Sequence, residues 1–335
     1  MVQRKRAVIP SSKYLFVHSG CLLLDCALGG DQPAGWPLGR VINVVGDKSS
    51  AKTGLAAEAL INFCKQYPDG GAAYRDFEHA FDKDYAANNG APIEKIDFGD
   101  EDDPLLTVED FAHDFEAFCD QQAKANTPGI YVVDSLDAIS DEAEMKASLE
   151  KGTYGTAKAK QLSTMFRKLT WKVEQSNVLL FVISQIRDAI GVTFGEKKKR
   201  AGGHALDFYA AQIVWLAHIG ILTETIGKIK RPYGIMVKAK VKKNKIGKPF
   251  GEAVFPVEFN YGINDVEASL KWLEEIGYSK EDNSTLGNLS SFRKALDKAN
   301  NADYKTLVQD LNTYVSEKWV EIESRFLPKR KKYAD

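Results

Sequence analysis

The run Gly46-Asp47-Lys48-Ser49-Ser50-Ala51-Lys52-Thr53 follows an apolar segment, Val41-Ile42-Asn43-Val44-Val45, and opens a helical stretch from Leu55 to Cys64. A strand, a glycine-led turn and a helix in that order are the setting of a phosphate-binding loop. Such a loop demands an α/β fold, because backbone N–H groups and the positive end of a helix dipole converge on a polyphosphate only where a sheet strand hands over to a helix. Lys52 stands where a lysine neutralises the outer phosphate oxygens, and Thr53 where a hydroxyl holds Mg²⁺. Gly46, Asp47, Lys48, Ser49, Ser50 and Ala51, with Gly54 just inside the helix, complete the expected cradle. The usual pattern has glycine directly before the lysine, and here Ala51 takes that place. A methyl group where backbone must approach phosphate predicts a shifted loop or weakened binding.

At 335 residues the chain can bury a full core and predicts one large and one small domain. Its 44% hydrophobic and 27% charged residues are ordinary for a soluble globular protein. No stretch approaches the length of a membrane span, and Met1-Val2-Gln3-Arg4-Lys5-Arg6 lacks the apolar core of a secretion signal. A cytoplasmic location and no membrane partner are therefore expected. The four cysteines, Cys21, Cys26, Cys64 and Cys119, show no metal-ligand spacing and read as buried reduced thiols. The net charge of -1 conceals an asymmetry: Glu94 to Asp120 holds eleven acids against Lys95 alone, whereas Lys228 to Lys248 holds nine Lys or Arg and no acid. Solvated faces explain most charge runs, but a basic run in a chain with a nucleotide loop suggests polyanion contact. The closing Lys329-Arg330-Lys331-Lys332 is either a further such cluster or a frayed tail.

Apolar β-rich runs alternate with helical patterns, the signature of βαβ units and a mostly parallel sheet. Strands are expected at Arg40–Val45, Ala72–Asp76, Ile130–Asp134, Val178–Ser184, Gln212–Leu216, Ile235–Val241 and Ala253–Phe259, and helices at Thr107–Gln122 and Lys158–Ser176. In the second helix Ala159, Leu162, Phe166, Leu169 and Val173 recur at three- and four-residue steps and mark a buried face. Two glycine-bearing segments, about 145–156 and 186–204, fit neither element and read as functional or disordered loops. Beyond Asp265 the pattern turns helical, at Val266–Ile276, Ser290–Ala299 and Tyr304–Phe326, a candidate second domain over 265–335.

A phosphate loop names no reaction, so its partners matter. Tyr131-Val132-Val133-Asp134 is an apolar strand ending in a carboxylate, which either orients the water shell of Mg²⁺ or caps the next turn. The preceding strand ends Arg75-Asp76-Phe77-Glu78-His79; strand ends share one edge in a parallel sheet, so Glu78 is a candidate to polarise a water toward a γ-phosphate. Gln185 ends the Val178–Ser184 strand and leads straight into the long basic loop, so its amide can couple nucleotide state to whatever that loop binds.

These pieces resemble the RecA family of homologous-recombination ATPases. The resemblance covers Val17 to Ile263, about three quarters of the chain, through Ser19-Gly20-Cys21-Leu22-Leu23-Leu24-Asp25, Glu78-His79-Ala80-Phe81-Asp82, Gln185-Ile186-Arg187, Gly202-Gly203-His204-Ala205-Leu206 and Lys243-Asn244-Lys245-Ile246. It implies a twisted, mostly parallel RecA-like core flanked by helices over 17–264, a small helical or α/β C-terminal domain, and ATP with Mg²⁺ as ligands. Lys52, Thr53 and Asp134 would hold phosphate and metal, with Glu78 as general base and Gln185 as γ-phosphate sensor. Tyr85, after Asp82, is similar to the family's adenine-stacking tyrosine. Lys243 and Lys245 match a lysine pair that reaches the ATP of a neighbouring subunit. The glycine segments match two DNA-binding loops; Tyr154 and Ile190 are candidates to insert between bases, and Lys160, Arg167, Arg187, Gly202 and Gly203 to face phosphates. For Ile190 simple loop packing stays open.

The chain departs from the family at Ala51, in its basic arm over 1–16, too short for the long N-terminal helix of bacterial relatives and read either as an oligomerisation segment or as a disordered arm, and in its basic end. Such divergence is common among phage-encoded relatives. The leading expectation is a DNA-dependent ATPase that forms a helical filament on single-stranded DNA and pairs it with homologous duplex DNA. The alternative is a weakly or non-hydrolysing single-stranded-DNA-binding filament or annealing protein; a ring-shaped helicase on the same core fits the second loop and the lysine pair less well.

Overall fold

Apolar runs without alternation become strands buried on both faces, as a parallel sheet covered by helices requires. In the computed structural model residues 14–100, 102–141, 145, 155–188, 198–200, 205–281, 286–330 and 332 are described. A short pair, β1 (Phe16–Val17) and β2 (Trp36–Pro37), brackets helix α1 (Leu22–Gly29). The phosphate-loop strand β3 (Val41–Gly46) leads into α2 (Lys52–Gln66), β4 (Gly71–Asp76), α3 (Lys83–Asn88) and β5 (Ile96–Asp97). There follow α4 (Val108–Ala125), β6 (Gly129–Asp134), α5 (Gly155–Gln175), β7 (Val178–Asp188), β8 (Lys198–Arg200) and α6 (Ala205–Tyr209). The strands β9 (Gln212–Ile226), β10 (Ile229–Asn244), β11 (Glu252–Glu258) and β12 (Gly262–Ile263) precede α7 (Asp265–Glu275), α8 (Leu289–Lys298) and α9 (Asn301–Arg325).

The main sheet runs in the order β12-β11-β10-β9-β3-β7-β6-β4-β5, with β8 pairing β7. From β5 to β9 the neighbours are parallel, and β10 to β12 add antiparallel strands. Register brings Asp76 opposite Asp134 and Gly46 opposite Gln185, so the ends of β3, β4 and β6 meet beside Gln185 of β7 at one edge. Side chains alternate between two apolar layers. On one face Leu24, Leu28, Phe63, Phe181 and Ile183 pack with Leu270, Phe292 and Leu311. On the other, Phe111, Phe115, Tyr131, Phe166 and Leu206 join helices α4, α5 and α6 to the sheet. The helices after Asp265 thus share a hydrophobic layer with the parallel core.

All seven strands expected from the sequence form, but β9 and β10 are far longer than the expected Gln212–Leu216 and Ile235–Val241. They continue as a two-stranded ribbon past the end of β3, with Ile226 paired to Ile229 across Gly227, whose φ of 63° suits a tight hairpin turn. The outer half is exposed on both sides, so no apolar alternation marks it in the sequence. Both charge runs are partly neutralised by the fold. Buried Arg75 binds Asp97 and Asp114, each at 2.8 Å, while Lys238 and Lys240 pair with Glu252 and Lys248 with Asp31 and Glu323. Lys228, Lys230 and Arg231 lie exposed beside the ribbon tip. The four cysteines are buried free thiols.

The start of α7 is fastened to the start of α1, where the Leu22 N–H donates to Asp265 Oδ1 at 2.7 Å. Burial, reinforced by nearby Asp25, pushes the Asp265 carboxyl up to about 6 from 3.8. The protonated form is therefore the one the fold favours: this contribution to stability is fully present below about pH 4 and is lost as pH rises through about 6. Asp265→Asn keeps an oxygen for Leu22 but cannot ionise. Denaturant unfolding at pH 4, 5 and 6 should show the variant losing roughly 2 kcal/mol less stability over that interval than the parent; parallel losses would remove Asp265 from the account.

Candidate nucleotide and nucleic-acid site

The loop after β3 is shaped by close approach and by left-handed backbone. A Cβ on Gly46 would lie 2.2 Å from Ser50 Oγ, so only glycine fits there. Ser49 and Ala51 have φ of 55° and 64°, and Ala51, with ψ of 27°, is the residue that caps α2 without a side-chain hydrogen bond. Glycine before the lysine therefore has a second reason besides nearness to phosphate, namely a left-handed conformation in which a Cβ is strained. No side chain caps the first N–H groups of α2, the donors that an anion site at this loop would use. Lys52 turns back on this loop and donates to the Asp47 carbonyl at 2.8 Å. Burial draws its pKa below the ordinary lysine value, while the carboxylates of Asp134, Glu78, Asp47 and Asp137 oppose that shift. Lys48 and the Asp47 side chain border the loop, where Lys48 N–H donates to Asp47 Oδ1 at 2.9 Å.

Thr53 Oγ1 donates to Asp134 Oδ2 at 2.6 Å, and Tyr74 donates to the same oxygen at 2.7 Å. Burial raises the Asp134 pKa, and the two hydroxyls pull the other way. Among the described residues no cluster of three or more His, Cys, Asp or Glu side chains can cage a metal. A hydroxyl and a carboxylate beside an anion cradle instead fit Mg²⁺, which takes few protein oxygens and completes its shell with phosphate and water.

The turn after β4 is built by Asp76, whose carboxylate accepts the N–H groups of Glu78, Ala80 and Phe81, with His79 at a φ of 51°. It aims Glu78 across the sheet edge, where its Oε1 accepts from Ser135 Oγ and, at 2.6 Å, from Gln185 Nε2. The expected base and sensor are thus in direct contact. The β7 strand continues through Gln185 to Asp188 and pairs with β8, placing Arg187 opposite Lys199. Asp82 caps α3 by accepting the Tyr85 N–H at 2.8 Å. Tyr85 is 44% exposed and its hydroxyl accepts the Asn260 N–H.

Lys243 and Lys245 lie elsewhere. Asn244 pairs with Gln212, which pairs with Ile42, so the two lysines sit at the amino edge of the sheet, four residues or roughly 13 Å along β3 from Gly46. Their ammonium groups reach carbonyls at the end of α6: Lys243 those of Asp207 and Phe208, and Lys245 that of Phe208 at 3.0 Å. Lys160 and Arg167 are exposed on one side of α5. Tyr154, Ile190, Gly202 and Gly203 lie outside the described residues, as does the Arg187 side chain. Tyr74, Ser135 and Asp137 escaped the sequence reading; Ser135 follows the strand carboxylate directly and was legible, whereas Asp137 carries no motif signal.

Residues 10–264 match the family model of the RecA N-terminal domain. Protein RecA of Synechococcus sp. (strain CC9311) is 35% identical over 261 residues, 78% of this chain and 63% of that protein. Protein RecA of Arthrospira platensis is 35% identical over 264 residues, 79% of this chain and 67% of that protein. Protein RecA of Nostoc punctiforme is likewise 35% identical over 261 residues, 78% and 67% of the two chains. The aligned stretch thus spans about two thirds of these relatives' own length. Matched from the phosphate loop through the Lys243 strand, this chain belongs to the RecA family.

Proposed function

We propose that the protein is an ATP-dependent recombinase that assembles on single-stranded DNA in the cytoplasm and pairs it with homologous duplex DNA. The observation that carries this reading is the 2.6 Å bond between Gln185 and Glu78, because Gln185 belongs to the strand that runs into the second glycine-bearing segment. The backbone from Gly46 to Ala51 and the N-terminus of α2, together with Lys52 and Gly54, would hold the triphosphate; Tyr85 would stack on the base, with Asp82 fixing its helix. Thr53 and Asp134 would hold Mg²⁺, which supplies charge neutralisation at the phosphate oxygens when bound. Glu78 would accept a proton from the attacking water. Gln185, released from Glu78 by a γ-phosphate, would carry that change into the strand. Lys160, Arg167 and Arg187, with Tyr154, Ile190, Gly202 and Gly203, would contact the DNA.

Lys243 and Lys245 would complete the ATP site of a neighbouring copy, since their own loop lies at the opposite sheet edge. Among the described residues no helix is long and apolar enough to cross a membrane. A second reading, an ATP-binding filament or annealing protein with blunted turnover, is favoured by the left-handed Ala51.

Adding single-stranded DNA should raise ATP hydrolysis severalfold; a DNA-independent or undetectable rate with intact DNA binding would leave the second reading standing. Ala51→Gly should raise the unfolding free energy by about 1 kcal/mol and increase nucleotide affinity or turnover, and no change in any of the three would mean that the loop accommodates the methyl. The double variant Lys243→Ala, Lys245→Ala should lose DNA-stimulated hydrolysis while the single-chain melting temperature holds, and unaltered stimulation would rule out action in trans.

A further inference from the structure

The turn that follows β6 holds a residue to which neither the motifs nor the reading above gives a role. Pairing of β6 with β7 ends at Val133 opposite Val182, and the chain then turns away through Leu136 to Ala138. The β7 backbone alternates in direction: Leu180 N–H donates toward β3, to Arg40 O, whereas Ile183 O faces the turn and accepts Leu136 N–H. Gln185 N–H points the same way as Ile183 and has no β6 residue to meet. Asp137 Oδ2 takes its place, accepting Gln185 N–H at 2.6 Å. The Asp137 backbone carbonyl in turn accepts Lys158 Nζ at 3.1 Å, from the first turns of α5.

We propose that Asp137 is a positioning residue that couples the nucleotide edge to both glycine-bearing segments, holding the sensor strand by its carboxylate and the α5 start by its carbonyl. The inference rests on the recombinase reading, since it concerns how Gln185 transmits nucleotide state. Its physical basis is the short list of attachments at this point. Gln185 is tied to Glu78 through its side chain and to Asp137 through its backbone, so a displacement toward phosphate that breaks the first bond is shared through the second. Both bonds end on carboxylates and are of the stronger kind; a γ-phosphate would compete for the Gln185 amide and not for its backbone N–H, so the Asp137 bond holds while the Glu78 bond is exchanged. The helix α5 begins inside the 145–156 segment, at Gly155, with Lys158 in its first turn, and β7 extends into the 186–204 segment as far as Asp188, so one turn of chain meets both. The Asp137 charge also opposes the burial shift on the Lys52 ammonium.

The test uses the full chain, a fluorescent oligo(dT) and a slowly hydrolysed ATP analogue, and reads the ratio of oligo(dT) affinities with and without the analogue. Asp137→Ala should lower that ratio roughly tenfold, the scale of one charge-assisted hydrogen bond. Asp137→Asn, which keeps an acceptor oxygen, should retain most of it, and Lys158→Met should lower it severalfold from the other end of the connection. Melting temperatures of all three variants are measured alongside. A parental ratio in Asp137→Ala overturns the inference. So does a fall in Asp137→Asn as large as in Asp137→Ala together with a parental ratio in Lys158→Met, since Asp137 would then matter only to local stability. A parental protein that shows no linkage between the two ligands overturns the recombinase reading itself, and this inference with it.

Discussion

Parallel strand pairing is the constraint on which the rest of this molecule depends. Because β4, β6, β7 and β3 run the same way and in register, Asp76, Asp134, Gln185 and Gly46 stand at one edge of the parallel ladder, although they are scattered over 140 residues of sequence. No single loop has to bring them together. The helices on both faces then exclude water from the strands, where a buried polar side chain gains from a partner. Asn43 is an example: wholly buried in β3, it donates to the Val182 carbonyl and to Ser184 Oγ, both at 2.9 Å, and so clamps the two strands that carry the loop and Gln185.

Burial at this edge also sets its electrostatics. Lys52 and Asp134 are both held partly out of water, which weakens the charged form of each, and each is compensated by neighbours of the site: carboxylates for the lysine, the hydroxyls of Thr53 and Tyr74 for the aspartate. Such a balance leaves the edge able to accept a polyanion and a divalent cation together, because incoming charge replaces compensation that the protein now supplies to itself. The Lys52 bond to the Asp47 carbonyl and the Glu78 bond to Gln185 have the same character. Both are contacts that a bound triphosphate would exchange for its own oxygens.

Much of this was legible in the sequence because it depends on local rules. The strand–loop–helix order pointed to Lys52 and Thr53, carboxylates at or just past strand ends pointed to Asp134 and Glu78, and the helix expected from Thr107 forms, with a reciprocal Thr107–Asp110 cap. What escaped notice depends on pairing at a distance. The outer halves of β9 and β10 bury little, so the only clue was Gly227-Lys228 between two isoleucines. Asp82 was placed with the nucleotide ligands, whereas its visible bond is a helix cap. Asp137 has no signal at all, since its importance arises only where β6 abandons a strand that goes on without it.

The placement of Lys243 and Lys245 has a consequence for any association that uses them. A chain whose phosphate loop opens on one rim of the sheet and whose lysine pair occupies the other has unlike ends. Where the lysine rim of one copy meets the phosphate-loop rim of the next end to end, each contact leaves one end of each kind vacant for the next arrival. Assembly on that pattern is directional and open-ended unless its rotation closes a ring, and every member but the last would have its site finished by a successor.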